Sequence, residues 1–215
     1  MDVDQTNIPL ILFAKTPLLG KVKTRLQPEC STEQALAVAK ILLEESIRVA
    51  TRFWKGKVIL SVWPTLDDDY IQKMSQAYPI ELSLQTNGDL GDKMNAAFTE
   101  FGYPMAIMGC DAPHITEAAL TTCYSCLVET ENCIGESIDG GYYLLGLSRS
   151  CPEIFKGIDW GNETVFKQTM ETAAKQLLKF KQLPNLNDID TWQDLIGASD
   201  HLPNVYNYLS EQELI

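Results

Sequence analysis

Four cations, Lys15, Lys21, Lys23 and Arg25, crowd into eleven residues around Gly20, directly after an apolar run at residues 10–14. An unbroken run of this kind fills the centre of a parallel sheet, so the cations are expected at a strand's carboxyl end, the edge where open α/β sheets bind ligands. Ammonium and guanidinium groups held there suit a polyphosphate. The chain as a whole is acidic, with 17 Lys and Arg against 29 Asp and Glu for a formal net charge of -12, so the loop is a local inversion of sign. Solvated lysines on a turn shaped by Pro17 and Gly20 are the alternative. The spacings of a Walker loop and of a Rossmann glycine fingerprint are both absent.

Two acidic positions could complete a site. Met108-Gly-Cys-Asp-Ala-Pro113 ends an apolar run and presents Asp111 in a glycine- and proline-shaped turn. A carboxylate there can hold Mg²⁺ or Mn²⁺, which take oxygen ligands and share them with substrate phosphates; it can equally cap the helix expected from Thr116. Asp188 and Asp190 alternate around Ile189 and point the same way if the chain is extended, as a metal pair with Asp111 would require. Asp190 could instead cap a helix over 191–198. The run Asp67-Asp68-Asp69 imitates a D-x-D metal motif, but it heads a polar helix after Pro64, where acids compensate the helix dipole. It is read as a cap.

Two glycine loops remain. Gly88, Asp89 and Gly91 precede a helix and could offer backbone amides to a nucleotide or sugar. Asp139, Gly140, Gly141 and Tyr142 set a carboxylate beside glycines that allow close backbone approach and an aromatic ring, and a plain hairpin turn explains the segment equally well. Trp160-Gly-Asn-Glu-Thr164 carries a weaker signal. Of the cysteines, Cys123 and Cys126 have C-x-x-C spacing but fall inside a predicted helix without a second pair, and His114 and His201 are isolated, so buried structural thiols are expected.

These residues need elements to hold them. Apolar strand runs at 10–14, 58–62, 80–85, 105–109, 132–137 and 142–147, with a strand-like piece at 178–181, alternate with helical patterns near 31–53, 67–78, 89–101, 116–129, 163–177 and 191–198. The alternation predicts an α/β chain with a mixed, mostly parallel central sheet flanked by helices, and residues 1–215 read as one domain. The acidic balance argues against nucleic acid as a partner. No run approaches membrane-spanning length and the acidic start lacks a signal peptide's character, so a cytoplasmic protein without a membrane span is expected.

Taken in order, Phe-Ala-Lys-x-Pro-x-x-Gly-Lys-Val-Lys-Thr-Arg-Leu, Gly-Asp-Leu-Gly-x-x-Met, Gly-x-Asp-x-Pro, Asp-Gly-Gly-Tyr-Tyr-Leu-Leu-Gly-Leu and Asp-Ile-Asp-Thr cover nearly the whole chain. The set resembles a bacterial family of GT-A-like transferases linked to radical-SAM gene clusters and named for arsenosugar-biosynthesis glycosyl transfer. It is more distantly similar to guanylyltransferases of deazaflavin-cofactor biosynthesis. The resemblance implies a nucleotide-diphospho-sugar transferase fold. It places nucleotide phosphates against Lys15, Gly20, Lys21, Lys23, Thr24 and Arg25, with the base near Gly88, Asp89 and Gly91 and the acceptor or sugar facing Asp139, Gly140, Gly141 and Tyr142. Asp111 and Asp190, with Asp188 in reserve, become the ligands of Mg²⁺ or Mn²⁺, and Asp111, Lys23 and Arg25 the catalytic set. The implied partners are a nucleotide or nucleotide sugar and a small-molecule acceptor. Glycosyl transfer is the reading taken, with nucleotidylyl transfer from a nucleoside triphosphate and a catalytically silent nucleotide sensor as alternatives.

Overall fold

The structure is a computed structural model and describes residues 7–27 and 29–215. The acidic start read for an export signal, residues 1–6, lies outside the described residues, as does Pro28. Seven strands form one sheet: β1 (Leu10–Lys15), β2 (Val58–Trp63), β3 (Ile80–Leu84), β4 (Met105–Gly109), β5 (Asn132–Ser137), β6 (Tyr142–Leu147) and β7 (Phe180–Leu186). Their order is β3-β2-β1-β4-β6-β5-β7, and every pairing is parallel except those of β6, which runs against both β4 and β5. The helices are α1 (Thr32–Phe53), α2 (Asp69–Ala77), α3 (Leu90–Phe101), α4 (Glu117–Val128), α5 (Val165–Lys175), α6 (Trp192–Ser199) and α7 (Pro203–Glu211). The expected α/β architecture with a mixed, mostly parallel sheet is the one found.

The continuous apolar character of the central strands follows from burial on both faces. In β1, Leu10 and Leu12 enter the core that contains Leu43 and Ile47 of α1 and Leu120 of α4, whereas Ile11 enters the opposite core with Met94 and Phe98 of α3. Met108 and Ile107 of β4 divide in the same way. Ser31 starts α1 with a capping box to Gln34, satisfying amides that a bare helix end would leave open.

Two elements depart from expectation. Strand β7 runs from Phe180 to Leu186, well past residue 181, because it pairs with β5 from Asn132 through Ser137. As the edge of the sheet it needs only one row of partners, which is why Pro184 and alternating polar residues are tolerated. Helix α7 is an addition to the predicted elements. Pro203 opens it, and Val205 and Leu209 pack with Val38 and Leu42 of α1 and with Leu195 of α6 in a third core. Among the described residues, no helix is long and apolar enough to cross a membrane.

Candidate active site

Strand β1 is flanked by β2 on one side and β4 on the other, so the chain reverses its direction of winding between β1 and β4. The carboxyl ends of two such strands diverge into a crevice, the place where α/β sheets receive ligands. The cationic loop leaves β1 there, and Asp111 follows β4. Thr16 pins the start of the loop, its hydroxyl donating to the Thr65 carbonyl at 2.6 Å. Gly20 turns the chain at φ +70°, and Lys23 itself sits in the left-handed region at φ 46° and ψ 38° before a single 3-10 turn, Thr24–Leu26. Buried Leu26 anchors that turn in the core beneath α6 and α7.

This backbone sends Lys23 inward. Its side chain is only 8% exposed, and its Nζ donates to Asp111 Oδ1, to the Ile189 carbonyl at 2.6 Å and to Asp190 Oδ1 at 3.0 Å. Burial opposes the charge on Lys23, yet Asp111 and Asp190 together outweigh it and raise the lysine's pKa. Arg25 reaches the same cluster from outside, its Nη1 3.5 Å from Asp190 Oδ2 on a side chain 74% exposed. Lys23 and Arg25 therefore share the loop but differ in environment.

The capping alternatives for both acids fall away. Thr116 caps α4 through its side chain, which accepts from the Ala119 amide, and Thr191 caps α6 in a capping box with Asp194. Asp111 and Asp190 are left free to face a cation. Asp188 flanks the buried Ile189 on the other side, and its carboxyl is pushed up to about 7 by burial and by the charges of Asp139, Asp111 and Asp190. The ammonium of Lys23 opposes this rise without cancelling it.

The donors suit a hard divalent ion. Two carboxylates and a backbone carbonyl converge on one position, and the ammonium of Lys23 stands there as a cation would. Among the described residues, no group of three or more His, Cys, Asp or Glu side chains is arranged to hold a metal. Asp111 and Asp190 are thus a pair that would leave further ligand positions to phosphate or water, the usual economy of Mg²⁺ sites.

The other predicted residues lie around this centre with distinct roles. Lys15 and Lys21 are exposed and form no ion pair among the described residues. Thr24 is exposed on the 3-10 turn. Gly88 adopts φ +119°, and Asp89 caps α3 in a capping box with Asp92, so its carboxylate serves the helix. A Cβ on Gly91 would lie 2.6 Å from the Trp160 indole nitrogen; the glycine is there to admit that ring. Asp139 accepts from Ser137 Oγ at 2.6 Å and from the Gly141 amide at 3.0 Å. Gly140, at φ +88°, lies on the Glu163 backbone where a side chain has no room. Tyr142 turns inward, donating to Met94 Sδ at 3.6 Å, with the Trp160 ring edge-on at 6.4 Å. Trp160 thereby joins the two glycine loops into one wall, a role that a lone tryptophan in a Gly-Asn loop hardly announces.

Lys93 was not singled out from the sequence. It lies on the first turns of α3, its Nζ 4.3 Å from the centroid of the Trp63 ring, and Trp63 is the register partner of Lys15 across β1 and β2. Burial and the charge of Lys15 both depress its pKa. Its place within Gly-Asp-Leu-Gly-x-x-Met, one turn past a helix cap, was the available signal. His114 and His201 are less isolated than their spacing suggests, since His201 lies close enough to depress His114 further after burial has done so. The Asp67–69 run behaves as a cap: Asp68 accepts from the Tyr70 and Ile71 amides at the start of α2. Cys123 and Cys126 are buried thiols within α4, and Cys123 meets Cys133 Sγ at 3.1 Å.

The family described as "Uncharacterized protein conserved in bacteria (DUF2064)" matches residues 46–162, just over half of the 215-residue chain. The chain belongs to this family. The matched span holds Gly88 to Gly91, Asp111, Asp139 to Tyr142 and Trp160, while Lys23 and Asp190 lie on either side of it. Among solved structures, one described as a "putative nucleotide-diphospho-sugar transferase" from Desulfovibrio desulfuricans G20 is similar at 27% identity and a TM-score of 0.83, with 96% of each chain covered. A 4-diphosphocytidyl-2C-methyl-D-erythritol synthase from Anaerococcus prevotii DSM 20548 shares the fold at 13% identity and a TM-score of 0.62, covering 93% of this chain and 97% of that one. So does a manganese complex of a Mycobacterium tuberculosis H37Rv protein, at 15% identity and a TM-score of 0.53 over 89% and 97%. A search of curated proteins finds no match.

Proposed function

We propose that the chain is a nucleotide-binding transferase of one catalytic domain, which moves a glycosyl group from a nucleotide sugar to a small-molecule acceptor with the help of Mg²⁺ or Mn²⁺. The observation that carries this reading is the convergence of Asp111 and Asp190 on one cation position at the β1/β4 crevice, beside a loop of cations on an acidic protein. The similar Desulfovibrio structure and the manganese-bound neighbour support it.

Asp111 and Asp190 are the residues that would hold the ion, whose chemistry when bound is to neutralise charge on the departing phosphate. Lys15, Lys21, Arg25 and Lys93 bind and orient the phosphate chain, using cations that form no ion pair among the described residues or, for Arg25, only a long one. Fixing the donor in this way supplies orientation that solution lacks, and no protein nucleophile is needed for direct displacement. The acceptor's hydroxyl oxygen bonds to the sugar carbon and gives up its proton to solvent, as the bond from that carbon to phosphate breaks and the nucleoside diphosphate departs with its electron pair, on the side of the site walled by Asp139, Gly141 and Trp160. The resemblance to arsenosugar-biosynthesis transferases points to a small acceptor of that kind.

Nucleotidylyl transfer is the second reading, favoured by the number of unclaimed cations and by the cytidylyltransferase-like neighbours. A thermal-shift panel of nucleoside triphosphates and nucleotide sugars, each with Mn²⁺ or Mg²⁺, tests both, since ligands that bind the native state raise its melting temperature. Release of nucleoside diphosphate from the stabilising donor supports glycosyl transfer, and release of pyrophosphate supports the second reading. A panel with no shift for any nucleotide would sink both.

A further inference from the structure

Lys23 is an unusual residue to find on a phosphate loop, because its charge is spent inside the protein. Its ammonium touches three oxygens, is 8% exposed, and is delivered by a non-glycine residue in the left-handed region. Such backbone conformations persist only where surrounding contacts enforce them, and here those contacts are Asp111, Ile189 and Asp190. A Mg²⁺ ion between Asp111 and Asp190 would need their oxygens at about 2.0–2.1 Å. The ammonium of Lys23 stands in that space, so the two cations exclude one another sterically and by like charge.

We propose that Lys23 is an internal competitor for the metal: its ammonium holds the cation position between Asp111 and Asp190 until a phosphate group takes it. This rests on the reading of the crevice as a nucleotide-phosphate site. The neighbours of Lys23 on the loop, Lys21 and Arg25, are exposed to the ligand that would draw it out. The polyphosphate and the ion therefore bind cooperatively, each clearing or filling a position for the other, and by linkage the enhancement is equal in both directions. The free protein keeps its carboxylates neutralised without a metal. Divalent ions are then admitted chiefly with the substrate.

The test measures Mn²⁺ affinity by calorimetry and by the electron paramagnetic resonance of free Mn²⁺, with no nucleotide present. The Lys23→Met variant is expected to bind Mn²⁺ alone at least tenfold more tightly than the wild type. Equal or weaker binding by the folded variant overturns the proposal. Because Lys23→Met leaves two carboxylates without their buried partner, the wild type supplies a second measurement. Its affinity for Mn²⁺ should rise at least tenfold when saturated with a nucleoside triphosphate, after correction for Mn²⁺ held by the nucleotide in solution, and an unchanged affinity overturns the proposal while leaving nucleotide binding intact. Tight Mn²⁺ binding by Lys23→Met with no nucleotide bound by either protein would sink the transferase reading and keep the competition between ammonium and metal.

Discussion

The amide of Ile189 donates to the carbonyl of Asp111 at 2.8 Å, joining the segment before α6 to the end of β4. Because Ile189 is buried and its flanking residues are not, this one bond fixes which way Asp190 faces and brings it beside Asp111. The acid pair is thus built by backbone pairing rather than by the helix caps at Thr116 and Thr191.

That construction predicts how the acids behave on mutation. Asp111→Asn and Asp190→Asn should each abolish metal-dependent nucleotide binding in calorimetric titrations. Their effects in the double variant should be clearly less than additive, because both act on one bound ion. Each change also removes a charged partner of Lys23, so a stability loss of about 1–3 kcal/mol in denaturant unfolding is expected. Strict additivity of the binding losses would show that the two residues serve separate sites.

Lys93→Met should weaken nucleotide binding by roughly tenfold, about 1.4 kcal/mol, the scale of one charge-assisted hydrogen bond. Stability should hold or rise slightly, since a desolvated ammonium next to Lys15 is lost and the apolar methionine can still lie on Trp63. An unchanged dissociation constant would remove Lys93 from the phosphate path. Lys93→Arg, which keeps the charge, should retain most of the affinity.

A third substitution separates the acid pair from the D-x-D imitation. Asp68→Ala should cost about 1 kcal/mol of stability through the lost α2 cap. The double variant Asp67→Asn, Asp69→Asn should cost at most about that much through the helix dipole. Nucleotide affinity should be preserved in both. Lost Mn²⁺-dependent binding in either folded variant would move the metal site to this run.

What the sequence showed and what it hid follow one physical division. Strands β1 to β6 and helices α1 to α4 were legible because alternate burial on two faces and local caps such as Ser31, Asp68 and Asp89 leave their marks in consecutive residues. The site was legible as a set of candidates, since Lys23, Asp111 and Asp190 each sit in a motif. The inward path of Lys23 was not, because it depends on a partner segment far along the chain. Tyr142 donates to Met94, and Gly91 admits the Trp160 ring; both contacts are tertiary packing that no local pattern encodes. Helix α7 escaped because its amphipathic face answers to α1, and the edge position of β7 hid its length behind Pro184.

His114 gives a prediction about pH. Among the described residues its buried Nδ1 has no hydrogen-bond partner, and burial together with His201 holds its pKa below the usual histidine value of about 6.5. The unfolded chain therefore binds a proton at His114 more readily than the folded one, so stability rises with pH between the two values. The contribution is fully present above about pH 6.5 and is lost as the pH falls through that value toward the folded pKa. His114→Gln, which stays neutral, should flatten the wild-type decline in melting temperature between about pH 7.5 and 5.5, while His201→Gln should flatten it less by removing only the neighbouring charge. The measurement is a series of thermal melts across that window for the three proteins. An equally steep decline in wild type and His114→Gln would assign the acid sensitivity to other groups and show that His114 is solvated when charged.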